Sequence, residues 1–263
     1  KLFAAGVVPG LLLAVLICAY IFIRCALQPE LGPSLPREER GRWPEKIAAL
    51  RAVLLPMLIV VMVLGSIMLG LATPTEAAAI GVLGALISAL VHRKLSWTLL
   101  RESCIRTFRL TGMIMWILFA AHAFSSAYQS MGAQSLIQSL MGHLPGGAWG
   151  ALIFMQIVLL LLGMVLDPVG IMLITLPVFL PIVTALGFDP IWFGVLFIIN
   201  MEIGYQTPPF GFNLFYLKGI VPAGITMGDI YQSVTPYTLI MILGLVLIML
   251  VPSLATWLPS LVL

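Results

Sequence analysis

The sequence predicts an all-α integral membrane protein, a multi-span helical bundle with one re-entrant hairpin and one broken helix. Three observations predict it. The 263-residue chain is 61% hydrophobic and 9% charged, with a mean hydropathy of +1.14, whereas a soluble domain carries about a quarter charged residues. Its apolar runs recur at lengths near the ~20 residues with which a helix crosses a bilayer. Two stretches interrupt the apolar sequence with polar, helix-breaking residues, LDPVG around Asp167 and NMEIGYQTPPFGFNLF from Asn200.

The spanning candidates, in order, are Leu2–Ile23, Ala52–Leu71, Ala77–Val91, Leu110–Ala127, Ala148–Leu166, Pro168–Leu186, Ile191–Val221 and Pro236–Leu258. Their direction follows from the bases. Of 13 Lys and Arg, six lie between Arg24 and Arg51 and five between Arg93 and Arg109, which places both segments in the cytoplasm. Leu2–Ile23 then runs inward. Ala52–Val91 leaves and returns as a hairpin reversing near Thr73-Pro74-Thr75, and Leu110–Ala127 runs outward. Ala148–Leu186 begins and ends outside, either as two full spans or as a re-entrant hairpin. The 191–221 span returns, landing Lys218 inside, and Pro236–Leu258 leaves.

Between the spans, Glu38–Arg51 reads as a polar loop feeding a helix that starts near Pro44. Leu95–Arg109 and Gln129–Leu144 mix apolar and polar residues as a helix lying in the membrane interface would, or as an ordinary solvated connector would. Residues 1–128 form a scaffold-like part with basic loops, and 129–263 carry the hairpin, the broken span and the last span. The chain opens at Lys1 directly before an apolar run and shows no second copy of either motif, as expected of a chain lacking an N-terminal half. Three cysteines and three histidines are scattered without ligand spacing, so no metal centre, redox pair or nucleic-acid partner is expected.

Three of the ten acids fall outside the loops: Glu76, Asp167 and Glu202. A carboxylate at membrane depth costs roughly 2.5–3.5 kcal/mol on the lenient insertion scale, so each needs a reason. Asp167 lies between two apolar arms, with Gly163 and Gly170 permitting a tight reversal. It can N-cap the second arm, hold a cation at the tip of a hairpin, or do both. Glu76 belongs to the motif Thr73, Pro74, Thr75, Glu76, where Thr73 or Thr75 can cap a helix and Glu76 complements its dipole. Glu202 can hold a cation, carry a proton or tie down broken backbone.

The break itself is the stronger signal. Pro208 and Pro209 have no N–H to donate, so carbonyls before them lose their helical partners. Such backbone is tolerated in a membrane only where it is buried in protein or lines a wet cavity. Asn200, Thr207, Gly211 and Asn213 add oxygens or backbone freedom around it. A hairpin with a polar tip followed by a broken span is the pattern of one half of an inverted-repeat transporter.

ATPTEAAAIG (Ala72–Gly81), GMVLDPVGIMLITLPVFLPI (Gly163–Ile182) and NMEIGYQTPPFGFNLF (Asn200–Phe215) resemble the large membrane subunit of tripartite ATP-independent periplasmic (TRAP) transporters, the DctM type. The opening AAGVVPGLLLAVLICAYIFIR is similar to the span that follows the first repeat in that family. The resemblance covers essentially the whole chain and corresponds to the C-terminal half of the subunit. It implies an elevator-type fold of the ion-transporter superfamily in the bacterial inner membrane. It also implies coupling to Na+, with no other cofactor, and a periplasmic solute-binding protein that delivers an organic acid such as a C4-dicarboxylate. A small four-helix membrane subunit is the implied brace. By resemblance, the Asp167 hairpin and the Thr207–Gly211 break enclose one sodium site, with Asp167 and Thr207 as candidate ligands. The wording TPPFGFNLFYLKG looks closer to the branch labelled for mannitol or chloroaromatic acids than to the succinate branch. Tyr205-Gln206 departs from the apolar residues more usual there, which bears on the cavity lining.

Other functions are weaker. A channel would want a ring of acids or a carbonyl filter. An intramembrane aspartyl-type enzyme would pair two carboxylates, but Asp167 and Glu202 sit beside helix breakers and no HExxH or GxGD-like spacing accompanies them. A proton-coupled carrier of the same fold, titrating Glu202 or Asp167, is the nearest alternative.

Overall fold

The computed structural model describes residues 1–32, 43–132, 139, 145–209, 211–222 and 224–262. Among these residues every regular element is helical. In chain order the α-helices are α1 (Leu2–Ala5), α2 (Val7–Leu27), α3 (Trp43–Met68), α4 (Pro74–Val91), α5 (Trp97–Ser130), α6 (Gly147–Gly163), α7 (Pro168–Ala185), α8 (Pro190–Tyr205), α9 (Phe212–Ile220), α10 (Met227–Leu250) and α11 (Ser253–Val262). Leu2–Leu27, Pro74–Val91, Trp97–Phe124, Pro168–Ala185 and Met227–Leu250 are long and apolar enough to cross a membrane, and α6 and α8 are shorter apolar helices. The protein is an all-α integral membrane protein.

Two compact units are present, Lys1–Ile17 with Leu110–Ser260, and Cys18–Arg109 with Leu261–Leu263. The first is organised around α8, which buries ten of its 16 residues and so serves as the central helix. Helices α1, α6, α7, α9 and α10 pack against it. Asp189 starts α8 by accepting hydrogen bonds from the N–H groups of Ile191 (2.6 Å) and Trp192 (3.0 Å), which satisfies two otherwise unpaired donors. The Trp192 indole then donates to the Ile248 carbonyl of α10 at 2.9 Å. Helix α6 turns Ala151, Leu152, Met155, Leu159 and Gly163 inward, and α10 turns Met241, Leu245, Ile248 and Met249 inward. Both sets follow helical spacing and form one stripe.

The second unit is built on the α3–α4 hairpin. Gly84 lies so close to Ile59 that a Cβ there would come within 2.8 Å of its Cγ1, and Gly81 stands similarly over Val63. These glycines let two apolar helices approach without a soluble core, as small residues do inside membranes. The turn reverses through Gly70, at φ 69°. Thr73 then caps α4: its hydroxyl oxygen accepts the Glu76 N–H at 3.3 Å, while the Glu76 carboxylate accepts the Thr73 N–H at 2.8 Å. Between Thr73 and Thr75, the cap is therefore Thr73. Pro74 occupies the first turn, where a missing N–H costs nothing.

The expected hairpin over residues 52–91, the helix starting near Pro44 and the break after Tyr205 all appear. Two expected boundaries do not. Leu95–Arg109 and Leu110–Ala127 are not separate elements but parts of α5, a single helix of 34 residues. No proline or glycine stands between Trp97 and Gly112 to interrupt it, and at 1.5 Å per residue it extends about 51 Å. The last span begins at Met227 rather than Pro236, because Thr226 and Asp229 form a second capping box. It stops at Leu250, before Pro252, and α11 continues separately. The proposed interfacial stretch Gln129–Leu144 lies largely outside the described residues.

Removing the α4 cap with Thr73→Ala is expected to cost about 1 kcal/mol locally, and Thr73→Ser almost nothing. Amide hydrogen exchange over residues 74–77 checks this, and unchanged exchange in the Ala variant would refute the cap.

Candidate functional site

The hairpin tip forms where α6 runs out. The amides of Met164 and Leu166 fold back onto the carbonyls of Leu160 (3.1 Å) and Leu162 (2.8 Å). Asp167 then adopts an extended conformation, φ −72° and ψ 150°, and caps α7. Its Oδ2 accepts the Gly170 N–H at 2.9 Å. Its Oδ1 lies over Gly170, where a Cβ would stand only 3.0 Å away. Glycine at 170 thus makes room for the carboxylate. The capping role is present, and one carboxylate oxygen makes no hydrogen bond among the described residues.

The second break has a simple cause. In an α-helix the carbonyls of Gly204 and Tyr205 would receive N–H bonds from residues 208 and 209, both prolines. Helix α8 instead tightens into 3₁₀-type bonds, Gln206 N–H to Ile203 (3.1 Å) and Thr207 N–H to Gly204 (3.1 Å). The Thr207 hydroxyl donates to the Ile203 carbonyl at 2.6 Å. Gly211 then turns the chain at φ 35°, a left-handed conformation natural to glycine, and α9 follows. Tyr231 of α10 braces the loop by donating to the Pro209 carbonyl at 3.3 Å.

A glycine pair holds the two breaks together. A Cβ on Gly204 would meet the Cα and C of Gly163 at 2.8 Å, and one on Gly163 would meet the Gly204 Cα at 3.3 Å. The last turn of α6 therefore lies directly on the last turn of α8. Tyr205, the next residue, is within electrostatic reach of both Asp167 and Glu202.

The other sequence candidates take different places. The Asn200 side chain is buried against α6, donating to the Gln156 carbonyl and the Gln156 Oε1, each at 2.8 Å. Glu202 is exposed and lines a groove of about 150 Å³ with Gly6, Pro9, Gly10, Leu13 and Ile198. Pro208 and Pro209 are exposed, Gly211 is buried, and Asn213 is exposed on α9. Thr73, Pro74, Thr75 and Glu76 belong to the other unit. Among the described residues no three His, Cys, Asp or Glu side chains gather. A cation here would meet at most one or two carboxylates and otherwise neutral oxygens. Sequence reasoning passed over Gln156, although a lone amide inside IFMQIVLLLL was a usable signal. It also gave Gly204 no role of its own.

Because the atoms facing Gly204 are backbone, they cannot swing aside. Gly204→Ala is expected to destabilise the protein by about 1–3 kcal/mol. Thermal unfolding of the full-length variant in detergent checks this, and an unshifted midpoint would mean that the two breaks are not held by this contact.

The family model described as "Tripartite ATP-independent periplasmic transporter, DctM component" matches residues 1–254. The chain is 34% identical over 261 residues to the C4-dicarboxylate TRAP transporter large permease protein DctM of Pseudomonas aeruginosa, covering 99% of this chain and 60% of that protein. It is 33% identical to the DctM of Rhodobacter capsulatus, covering 99% and 58%. It is 30% identical to the ectoine/5-hydroxyectoine TRAP transporter large permease protein UehC of Ruegeria pomeroyi, covering 99% and 60%. The chain thus spans about 60% of the length of these relatives. With its paired helix breaks and apolar spans, the chain belongs to the DctM component family of the tripartite ATP-independent periplasmic transporters.

Proposed function

We propose that this chain is the C-terminal part of the large permease subunit of a sodium-coupled secondary transporter. It imports an organic acid, a dicarboxylate or related carboxylate, handed over by a periplasmic binding protein. A small four-helix membrane subunit braces it in the bacterial inner membrane. The observation that carries this reading is the pairing of the Asp167 tip with the 206–211 break across Gly163 and Gly204. Two interrupted helices meeting at one point are what an ion and solute site inside a membrane requires.

In this reading Na+ is a co-substrate, held by Asp167 and by oxygens around Thr207. The amino end of α7 supplies a positive dipole suited to a carboxylate. The elevator motion, with residues 129–263 as the moving part and 1–128 as scaffold, belongs to the same proposal. Relatives named for C4-dicarboxylates and for ectoine share similar identity with this chain, so the carboxylate class rests on the dicarboxylate proteins and on that dipole.

A proton-coupled carrier of the same fold is the second reading. One observation favours it: Glu202 stands in an apolar groove without a hydrogen bond among the described residues. A lone carboxylate on a membrane-spanning helix is a functional-site candidate, and carrying a proton is the role this reading gives it.

Full-length protein, reconstituted with its partners in vesicles, separates the two. Asp167→Asn is expected to reduce sodium-driven uptake by at least tenfold while membrane insertion persists. Intact sodium dependence would remove Asp167 from the ion site. Uptake that survives sodium removal, collapses with the proton gradient and is lost in Glu202→Gln would establish the second reading instead. Restoring N–H donors with Pro208→Ala and Pro209→Ala together is expected to impair transport. Normal transport in that double variant would separate the break from function.

A further inference from the structure

Helix α10 holds the 206–211 break at two places. The Tyr231 hydroxyl donates to the Pro209 carbonyl at 3.3 Å, and the Gln206 Nε2 donates to the Met241 Sδ at 3.3 Å. Both ties join different elements, across 22 and 35 residues of chain. The break needs such help from outside. Pro208 and Pro209 have no N–H, so neither can be fixed by donating to a neighbouring carbonyl. Both are exposed, so packing holds them only weakly, and Gly211 at φ 35° adds a joint that no side chain stiffens.

The helix that supplies the ties is itself fixed at its start. In its capping box the Asp229 carboxylate accepts the Thr226 N–H at 2.8 Å and the Thr226 hydroxyl at 2.7 Å. Lys218 of α9 donates to the carbonyl of Ile225, the residue before the cap. The corner between α9 and α10 is thus closed from both sides. Tyr231 stands in the second turn after it, where its hydroxyl is carried by an ordered helix rather than by a loop.

We infer that Tyr231, with Met241 as a weaker second, is a positioning residue for the cation site. It acts through the Pro209 carbonyl rather than on the ion, and keeps the oxygens of the break at the spacing that Na+ requires. This role rests on the sodium-coupled reading above and names the residues that set its ion affinity. A hard cation takes oxygen ligands at set distances. Groups outside the ligand shell hold those ligands in place, and losing one costs roughly 10–100-fold in affinity at metal sites. A neutral hydrogen bond at 3.3 Å belongs at the lower end of that range. A thioether is a weak acceptor, so the Met241 tie counts for less.

Full-length permease in detergent can be titrated with NaCl, choline chloride holding the ionic strength, while thermal unfolding is followed. In wild type, Na+ is expected to raise the midpoint saturably, as a ligand of the folded state does. Tyr231→Phe keeps the ring and removes only the hydroxyl. Its midpoint without Na+ should stay near wild type, while the half-saturating Na+ concentration should rise about tenfold. Met241→Leu, which conserves volume, should raise it about threefold. Sodium-driven uptake in vesicles, with the partner proteins present, should show the same split: a higher Na+ requirement, with the maximal rate kept at saturating Na+. An unchanged Na+ requirement in Tyr231→Phe would make the tie merely structural and overturn the proposal, while the sodium-coupled reading stands. If Tyr231→Phe fails to fold, an unchanged requirement in Met241→Leu overturns it equally. Wild-type protein that responds to Na+ in neither assay would overturn the sodium-coupled reading and this proposal with it.

Discussion

The backbone contact between Gly163 and Gly204 decides what the rest of the first unit can do. Neither residue carries a side chain, so the ends of α6 and α8 approach until their main chains touch. Each helix stops within a few residues of that point, for different local reasons. Helix α6 gives way to the turn that Asp167 closes, and α8 exhausts its N–H donors at Pro208 and Pro209. Unpaired backbone groups are a liability in hydrocarbon. Placing two helix ends together confines that liability to one region. The burial of α8 on nearly every side is the scaffold for this arrangement.

Elsewhere the protein removes polarity from the membrane by spending it locally. Thr175, Thr184 and Thr235 each donate their hydroxyl to a carbonyl one turn back, at 2.7–2.9 Å. Thr73 and Thr226 are consumed in capping boxes. Such bonds need no partner helix and leave the outer surface apolar, as a hydrocarbon solvent demands. The polar groups not disposed of in this way therefore stand out: the Asn200–Gln156 pair, Glu202, and the oxygens at the two breaks.

Much of this was legible in the sequence because it depends on near neighbours. Helix breaking by Pro208 and Pro209, capping by Asp167, and reversal near Thr73 are set by residues within one turn of each other. The Thr226 start was equally local, and it was missed because Pro236 looked like a natural boundary. A proline inside a long apolar helix need not end it, as Pro236 in α10 and Pro56 in α3 show. The Gly163–Gly204 and Gln156–Asn200 contacts join residues more than 40 positions apart. Periodicity indicates that such residues face inward but not which partner they meet. Composition likewise could not show that Leu95–Arg109 continues into the following span, since an amphipathic stretch looks the same whether it ends or runs on.

The structural roles of Asp167 and Thr207 do not compete with holding a cation. As an N-cap, Asp167 commits Oδ2 to the Gly170 N–H, and a carboxylate has some four lone-pair sites, most of them still open. Thr207 donates its only hydroxyl hydrogen to the Ile203 carbonyl, so what its oxygen presents to the surroundings is lone pairs. Both groups thus keep lone pairs to offer as acceptors. A hard cation is attracted to oxygens of this kind. Glu202 differs: it is a single carboxylate lining an apolar groove. In the proposed sodium-coupled reading, the break therefore offers Na+ more neutral oxygens than the groove at Glu202 does.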